Sequence, residues 1–367
     1  MSLLWMDGFD TYGAHHGALT DNEDQEKVLA SSGYTAVSQA TFHDATRTGR
    51  GLAVRLSRGA AVYQTGRLRR AFETRDEVIM GAAVRVGSSD FDRFFTIMYD
   101  NQLGDLHSQI SIARNAQGGI SVVGYTTGPS GSVSTHLVAA SRPNVMFPDV
   151  WHYVEVKYKP GSHVVVRLDG AVVLNGSGWT NPKAPKRVNL CTFICSPADW
   201  STAHSNTHTY FDDLYLCDTH GTQFNTFCGD VVVHGLMPLQ DAGPNDMSAY
   251  GGGLANYTAV DDVPPDDNLS YIYSNTLGHV DMFDLDDLPA NIIDVLAVSV
   301  HARCRKDAAG TSNIKLKARY DGLTADSPPM TLPTVFVGKH HIFETAPDGG
   351  GWNKVKANNL NIGVEIA

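Results

Sequence analysis

Positive charge is scarce in this 367-residue sequence: 28 Lys and Arg stand against 39 Asp and Glu, for a formal net charge of −11. That deficit argues against a nucleic-acid grip, which needs a basic face to meet the phosphate backbone. The one basic cluster, Arg67-Leu68-Arg69-Arg70, reads as a solvated face, with a polyanion contact as its alternative. Long apolar runs are missing too, so no membrane insertion is expected. The opening Met1-Ser2-Leu3-Leu4-Trp5-Met6-Asp7 has neither the basic head nor the apolar stretch of a secretory leader, which leads to the expectation of a soluble product kept in the cytoplasm. Cysteine is sparse and odd in number: Cys191, Cys195, Cys217, Cys228 and Cys304 contain no CxxC pair. A zinc knuckle or dithiol redox motif is therefore not indicated, and free, mostly buried thiols are expected. A bridge such as Cys217 to Cys228 stays open for an oxidising medium.

What is present is material for strands and turns. Hydrophobic residues make up 42% of the chain and charged residues 18%, enough to build packed cores. Thirty-five Gly and 16 Pro are spread between short runs rich in Val, Ile, Tyr and Thr. From Trp151 to Asn175 the signal is clearest. Tyr153, Glu155, Lys157 and Lys159 interleave with Val154, Val156 and Tyr158, the period of a strand with one wet face. After Pro160-Gly161-Ser162 come two β-rich runs separated by Asp169-Gly170, a hairpin signature. Similar runs lie at 51–56, 77–86, 94–99, 109–113 and 120–125, a rhythm that predicts a sandwich or jelly roll with no long helix in this half. Composition changes beyond Asp218, where Pro and Gly interrupt and Asp261-Asp262-Val263-Pro264-Pro265-Asp266-Asp267 forms an acidic turn. Later strands are expected at 292–305, 314–320, 334–343 and 360–366. The predicted organisation is all-β: a sandwich over 1–218, a connecting stretch over 219–275, and a smaller β-rich domain over 276–367 used for anchoring or oligomerisation.

Three segments carry a resemblance. Trp5-Met6-Asp7-Gly8-Phe9-Asp10, the Trp151–Asn175 meander and Phe211-Asp212-Asp213-Leu214-Tyr215-Leu216 resemble the first, middle and last strands of concanavalin A-like lectin/glucanase domains. That resemblance implies a jelly-roll sandwich whose two terminal strands lie side by side. The continuation through Gly229-Asp230-Val231-Val232-Val233, Asn256-Tyr257 and Pro265-Asp266-Asp267, with the ending Asn358-Asn359-Leu360-Asn361-Ile362-Gly363-Val364-Glu365, resembles tailed-phage virion structural proteins. It implies a non-enzymatic building block of a bacteriophage particle, on the tail (fibre, tip or baseplate) or the capsid surface (decoration or head fibre). Such a chain would be assembled in the host bacterial cytoplasm, with other virion proteins as partners and a homo-oligomer, a trimer foremost, as its state. Two further functions are weighed beside it: a host-glycan-binding receptor module and a polysaccharide depolymerase.

The chemistry tested against the sequence is mostly not found. Retaining glycoside hydrolases need two carboxylates roughly 5 Å apart. No Glu-x-Asp pattern with a second Glu follows that plan here, and Glu155 has Lys157 where its partner would stand. None of the 15 histidines shows the helical spacing of a zinc enzyme. Gly-x-Ser-x-Gly and phosphate-loop patterns are absent. No catalytic residue and no cofactor is assigned. Candidate sugar-stacking aromatics are Tyr125, Trp179, Trp200 and Tyr210, of which Trp179 and Trp200 sit in loop-like sequence; a core position is the competing reading for each. Candidate calcium ligands are Asp261, Asp262, Asp266 and Asp267, against a solvated acidic turn.

Overall fold

The computed structural model describes every residue except 1, 13–21, 50, 58–64, 88–91, 102–105, 128–132, 198–207, 252–254 and 264. The chain divides into two compact units. The first comprises Met1–Phe9, Leu19–Ala30 and Tyr34–Val233, the second Asp10–Ala18, Ser31–Gly33 and His234–Ala367.

The first unit is the expected jelly-roll sandwich. In chain order its strands are β1 (Leu3–Asp7), β2 (Ala36–Ser38), β3 (Ala40–His43), β4 (Ala53–Ser57), β5 (Gly66–Arg75), β6 (Val78–Val86), β7 (Asp92–Asp100) and β8 (Leu106–Arg114). They continue as β9 (Ile120–Thr127), β10 (Val133–Ala140), β11 (His152–Lys159), β12 (His163–Leu168), β13 (Ala171–Ser177), β14 (Val188–Pro197) and β15 (His208–Asp218). One sheet runs β13-β12-β11-β6-β15-β4-β3 with β1 added on β15, and the other runs β10-β9-β8-β7-β14-β5-β2. Every pairing within them is antiparallel, and β1 lies against β15, as the resemblance implied for the terminal strands. The facing sides interlock aromatic rings: Phe193 of β14 contacts Phe95 at 5.6 Å, Phe211 at 5.5 Å and Trp5 at 6.3 Å. These three phenylalanines are fully buried or nearly so, and large apolar groups of this kind dominate the energy of a β core.

Two features go beyond the sequence reading. The half predicted to hold no long helix carries the ten-residue helix α1 (Asn22–Ser31), whose sequence NEDQEKVLAS has only two large apolar residues, too weak a stripe to announce itself. The predicted wet face of β11 is dry only over its first half: Tyr153 is 1% and Glu155 0% exposed, whereas Lys157 is half-buried and Lys159 exposed. The chain after β15 returns across this side of the sheet. Gly229 N donates to Glu155 Oε1 at 2.8 Å, and the Arg167 guanidinium lies 4.4 Å from the Phe227 ring centre. A period-two pattern reports that two faces differ, and it cannot say what later folds over the polar one.

The Asp169-Gly170 hairpin is present. Both residues have positive φ, 49° and 80°, the backbone that a two-residue turn of primed type requires. Asp169 also fixes the turn by accepting from Tyr153 N at 2.8 Å and from His152 Nδ1 at 2.7 Å. Burial works to raise its pKa, and these hydrogen bonds outweigh it and hold the carboxyl below the ordinary value.

The second unit is the smaller β-rich body. Its strands are β16 (Pro238–Asn245), β17 (Ser248–Tyr250), β18 (Tyr271–Tyr273), β19 (Val280–Leu285), β20 (Val298–Cys304), β21 (Asn313–Tyr320), β22 (Leu323–Asp326), β23 (Met330–Thr331), β24 (Val337–Phe343) and β25 (Asn361–Ile366). A six-stranded sheet runs β16-β19-β25-β21-β22 with β23 on β21, while β17-β18 and β20-β24 form separate pairs. Leu316, Val300, Phe343, Trp352 and Leu360 centre its core, and Trp352 Nε1 donates to the Phe343 carbonyl at 2.7 Å. The stretch expected as a connection over 219–275 is therefore divided: 219–233 belongs to the sandwich, and β16 to β18 belong to the second unit.

Candidate functional site

The outer side of the seven-stranded sheet, the side away from the core, carries a row of polar residues. Thr192 of β14 stands opposite Arg69 of β5 and Thr96 of β7, and Thr96 stands opposite Ser111 of β8. Alternation puts Arg67 beside Arg69 and Tyr125 beside Val123, the cross-strand partner of Ser111.

The middle of this row is a closed hydrogen-bond chain. Arg93 Nη1 donates to the Tyr125 hydroxyl at 2.7 Å, Tyr125 donates to Ser111 Oγ at 2.8 Å, and Ser111 and Thr96 are 2.7 Å apart. Arg93 Nη2 reaches Ser196 Oγ at 3.1 Å. Thr192 adds a contact to Met98 Sδ at 3.5 Å. All of these polar residues are buried, so each bond made here removes a penalty that an unpaired group would carry. Gln109 pins the edge of the row: its Oε1 accepts from Asn181 N at 2.7 Å, and its Nε2 donates to the Pro185 carbonyl at 3.0 Å.

Arg67 and Arg69 differ from their neighbours. They project from one side of β5, two residues apart and half-buried, and the Nε of each is buried without a hydrogen-bond partner. No ion pair joins either guanidinium to a carboxylate within hydrogen-bond distance among the described residues. Burial lowers the pKa of Arg69, and the like charge of Arg67 lowers it further, against the field of Asp100. Two like charges thus stand close together in a partly desolvated place.

The sequence candidates fall as follows. Tyr125 lies in this row, 5% exposed, with its hydroxyl engaged. Trp179 is close by but turned inward: its ring covers Gly124, where a Cβ would come within 2.5 Å of Trp179 Cγ, and it stacks on His136 at 5.0 Å. Tyr210 stands on the other sheet, ringed by His43 at 5.2 Å, His208 at 5.1 Å and Trp151 at 6.3 Å, with the Arg85 guanidinium 5.3 Å from its ring centre. Trp200 lies outside the described residues. The structure thus brings Tyr125 and Trp179 together and separates Tyr210 from both.

The acidic turn of the second unit is closed by protein donors. Ser270 Oγ lies 2.6 Å from Asp262 Oδ2 and 2.9 Å from Asp266 Oδ2, and Asp267 is paired with Arg303, whose Nη2 donates at 2.8 Å. Among the described residues the Asp261 side chain makes no such bond, and no group of three or more His, Cys, Asp or Glu converges as metal ligands would. Glu155, tested from the sequence as a hydrolase acid, is sealed beneath residues 219–233 and accepts from Tyr215 Oη at 2.5 Å.

The fold defines a class, that of concanavalin A-like jelly-roll sandwiches. No family model matches the sequence, and no curated protein matches it. Solved structures similar to the chain include an endo-β-1,4-glucuronan lyase from the fungus Trichoderma reesei, with 11% identity, a TM-score of 0.40, and 50% of this chain covered against 91% of that one. An alginate lyase from a Chlorella virus gives 11% identity, a TM-score of 0.37, and 50% against 90%. A carbohydrate-binding module from Bacillus subtilis gives 8% identity, a TM-score of 0.33, and 51% against 96%. At these identities the likeness concerns the fold. By their names, two of the three are polysaccharide lyases and one is a carbohydrate-binding module. The expectations of a phage structural component and of a chain without enzymatic activity are corrected on that finding.

Proposed function

We propose that the sandwich binds and depolymerises an acidic polysaccharide, seating the chain across the outer side of its seven-stranded sheet. The observation that carries this reading is the Arg67 and Arg69 pair, two half-buried cations without carboxylate partners beside a row of hydroxyl groups. A uronate carboxylate fits such a pair, because guanidinium groups take carboxylates through paired, charge-assisted hydrogen bonds.

The row holds no pair of carboxylates, so its residues suit elimination better than hydrolysis. In an elimination the proton next to the uronate carboxylate leaves as a base takes it, the bond from the neighbouring carbon to the glycosidic oxygen breaks, and a double bond forms between the two carbons. The leaving oxygen then takes up a proton. Arg67 and Arg69 would stabilise the charge that grows on the carboxylate. Tyr125, held between Arg93 and Ser111, is the group on this face suited to proton transfer.

The test is incubation of the purified chain with polymers of uronic acid and with neutral glucans, followed by ultraviolet absorbance of unsaturated uronate ends. A rise with an acidic polymer and none with neutral ones is expected. Falling chain length without unsaturated ends would overturn elimination, and unchanged polymers would overturn depolymerisation. A binding module that does not cut is the second reading, favoured by the fact that the Tyr125, Ser111 and Thr96 hydroxyls already satisfy one another. It predicts retardation in affinity electrophoresis through acidic polysaccharide with no new chain ends.

A further inference from the structure

On the opposite sheet of the sandwich, two cysteines meet beneath the returning chain. Cys217 lies on β15 two residues past Tyr215, hence on the same side of the strand. The Tyr215 hydroxyl, which donates to Glu155, accepts from Cys228 N at 3.3 Å, and the next residue, Gly229, donates its own N–H to Glu155 at 2.8 Å. Residues 228 and 229 are thereby tied to the side of β15 on which Cys217 lies. Both thiols are free, and Cys228 is the neighbour that acts most strongly on the Cys217 thiol.

We propose that Cys217 and Cys228 are a redox pair that closes into a disulfide, fastening the segment after β15 to that strand. This inference stands apart from the polysaccharide reading and rests on neither Arg67 nor Tyr125. Cys217 is fully buried, whereas Cys228 is half-exposed and is the sulfur an oxidant meets first. With glutathione disulfide as oxidant, the Cys228 thiolate attacks one glutathione sulfur, forms a mixed disulfide and releases one glutathione thiolate. The Cys217 thiolate then attacks the Cys228 sulfur and expels the second glutathione, so two protein thiols are oxidised as one glutathione disulfide is reduced. The neighbouring Cys228, and then burial, push the Cys217 thiol well up, which makes the second step the slow one and faster at higher pH. The closed loop is short, and its closure restricts the unfolded chain.

The experiment treats the purified full chain with glutathione disulfide, blocks remaining thiols, and maps chymotryptic peptides without reduction. Trypsin is unsuited, since no Lys or Arg occurs between Arg187 and Arg303, whereas chymotrypsin cuts after Phe224 and Phe227 and parts the two cysteines. The expected result is a Cys217–Cys228 linked peptide that vanishes on reduction, a loss of two of the five free thiols, and a rise in melting temperature. In Cys217→Ser the glutathione adduct on Cys228 persists. Should that variant not fold, Cys228→Ser leaves Cys217 unmodified under the same treatment. A wild-type chain that holds only the Cys228 adduct after prolonged incubation at alkaline pH, or that keeps all five thiols, overturns the proposal.

Discussion

Trp179 donates its indole N–H to the carbonyl oxygen of Tyr125 at 3.1 Å, so one aromatic expected to stack on sugar is spent in holding the backbone of another. The Trp179 carbonyl in turn accepts from Tyr158 Oη at 2.5 Å. Gly124 makes the arrangement possible because it has no side chain to keep the indole off the strand.

Trp179→Ala is accordingly expected to act on stability. Removing a half-buried indole and one hydrogen bond should cost about 2–4 kcal/mol, toward the lower side of the range for buried aromatic truncations. Chemical denaturation measures the loss, and affinity electrophoresis at a temperature where the variant remains folded should show polysaccharide affinity within about twofold of the parent. A selective loss of affinity with unchanged stability would return Trp179 to the role of sugar platform.

Arg67→Ala and Arg69→Ala should do the reverse. Each removes one charged contact to a carboxylate, worth about 1.5–3 kcal/mol, or roughly ten- to a hundredfold in affinity. Stability should hold or rise slightly, since each change relieves repulsion between neighbouring guanidinium groups. Binding of the parent should weaken with added salt, and that dependence should flatten in the double variant. Titration calorimetry with a uronate oligomer at two ionic strengths measures both effects.

Tyr125→Phe separates binding from chemistry. The ring stays and the hydroxyl goes, leaving Arg93 Nη1 without the acceptor it has at 2.7 Å. Turnover should fall by about 10²–10⁴, the usual share of a proton-transfer group, with KM nearly unchanged. Equal activity in the variant and the parent would remove Tyr125 from the reaction.

The sandwich was legible because its strands announce themselves locally: the 151–175 meander and the Asp169-Gly170 turn each need only a dozen neighbours to be read. The polar row was not, although part of its signal is visible in Gln109-Ile110-Ser111-Ile112, where apolar and polar residues alternate. Alternation alone reads as an ordinary solvated face. That Ser111 meets Thr96, Tyr125 and, through it, Arg93 depends on the register of three strands, which no single segment encodes. Arg67-Leu68-Arg69-Arg70 likewise appeared as one basic run. The fold sorts it by pleat, sending Arg67 and Arg69 outward while Arg70 lies over the Trp5 ring at 5.2 Å. Residues 219–233 read as a connection because their contacts, such as Gly229 with Glu155, span 74 positions.

In the second unit, acid should loosen the sheet at β25. Glu365 accepts from Lys317 Nζ at 2.6 Å and from Lys315 Nζ at 3.0 Å. The hydrogen bond from Lys317 holds its carboxyl below the ordinary value of 4.5, with burial opposing and Lys315 assisting. A carboxylate whose folded pKa lies below its unfolded one adds stability that is complete above the unfolded value and is lost as pH falls through the folded one. Hydrogen exchange of β25 amides should therefore accelerate below about pH 4.5, beyond the intrinsic pH trend. Glu365→Gln should flatten that response.

Gly81 supplies a sharper test of how the buried carboxylate is held. A Cβ at this position would lie 2.1 Å from Tyr215 Cε1, so Gly81→Ala must lift the ring from the sheet. Lifting it breaks the 2.5 Å bond from Tyr215 to Glu155 Oε1. Glu155 Oε2 already has no hydrogen-bond partner, and the Arg167 guanidinium is 4.0 Å away, so the carboxylate would keep only the N–H of Gly229. Overpacking and the weakened carboxylate together should cost about 2–4 kcal/mol. Tyr215→Ala removes the ring that the added methyl strikes. In that background the same Gly81→Ala change should cost much less, and the cycle should show a coupling of at least about 1 kcal/mol by urea denaturation. Additive costs would mean that the methyl group is accommodated by the backbone and that the ring never moves.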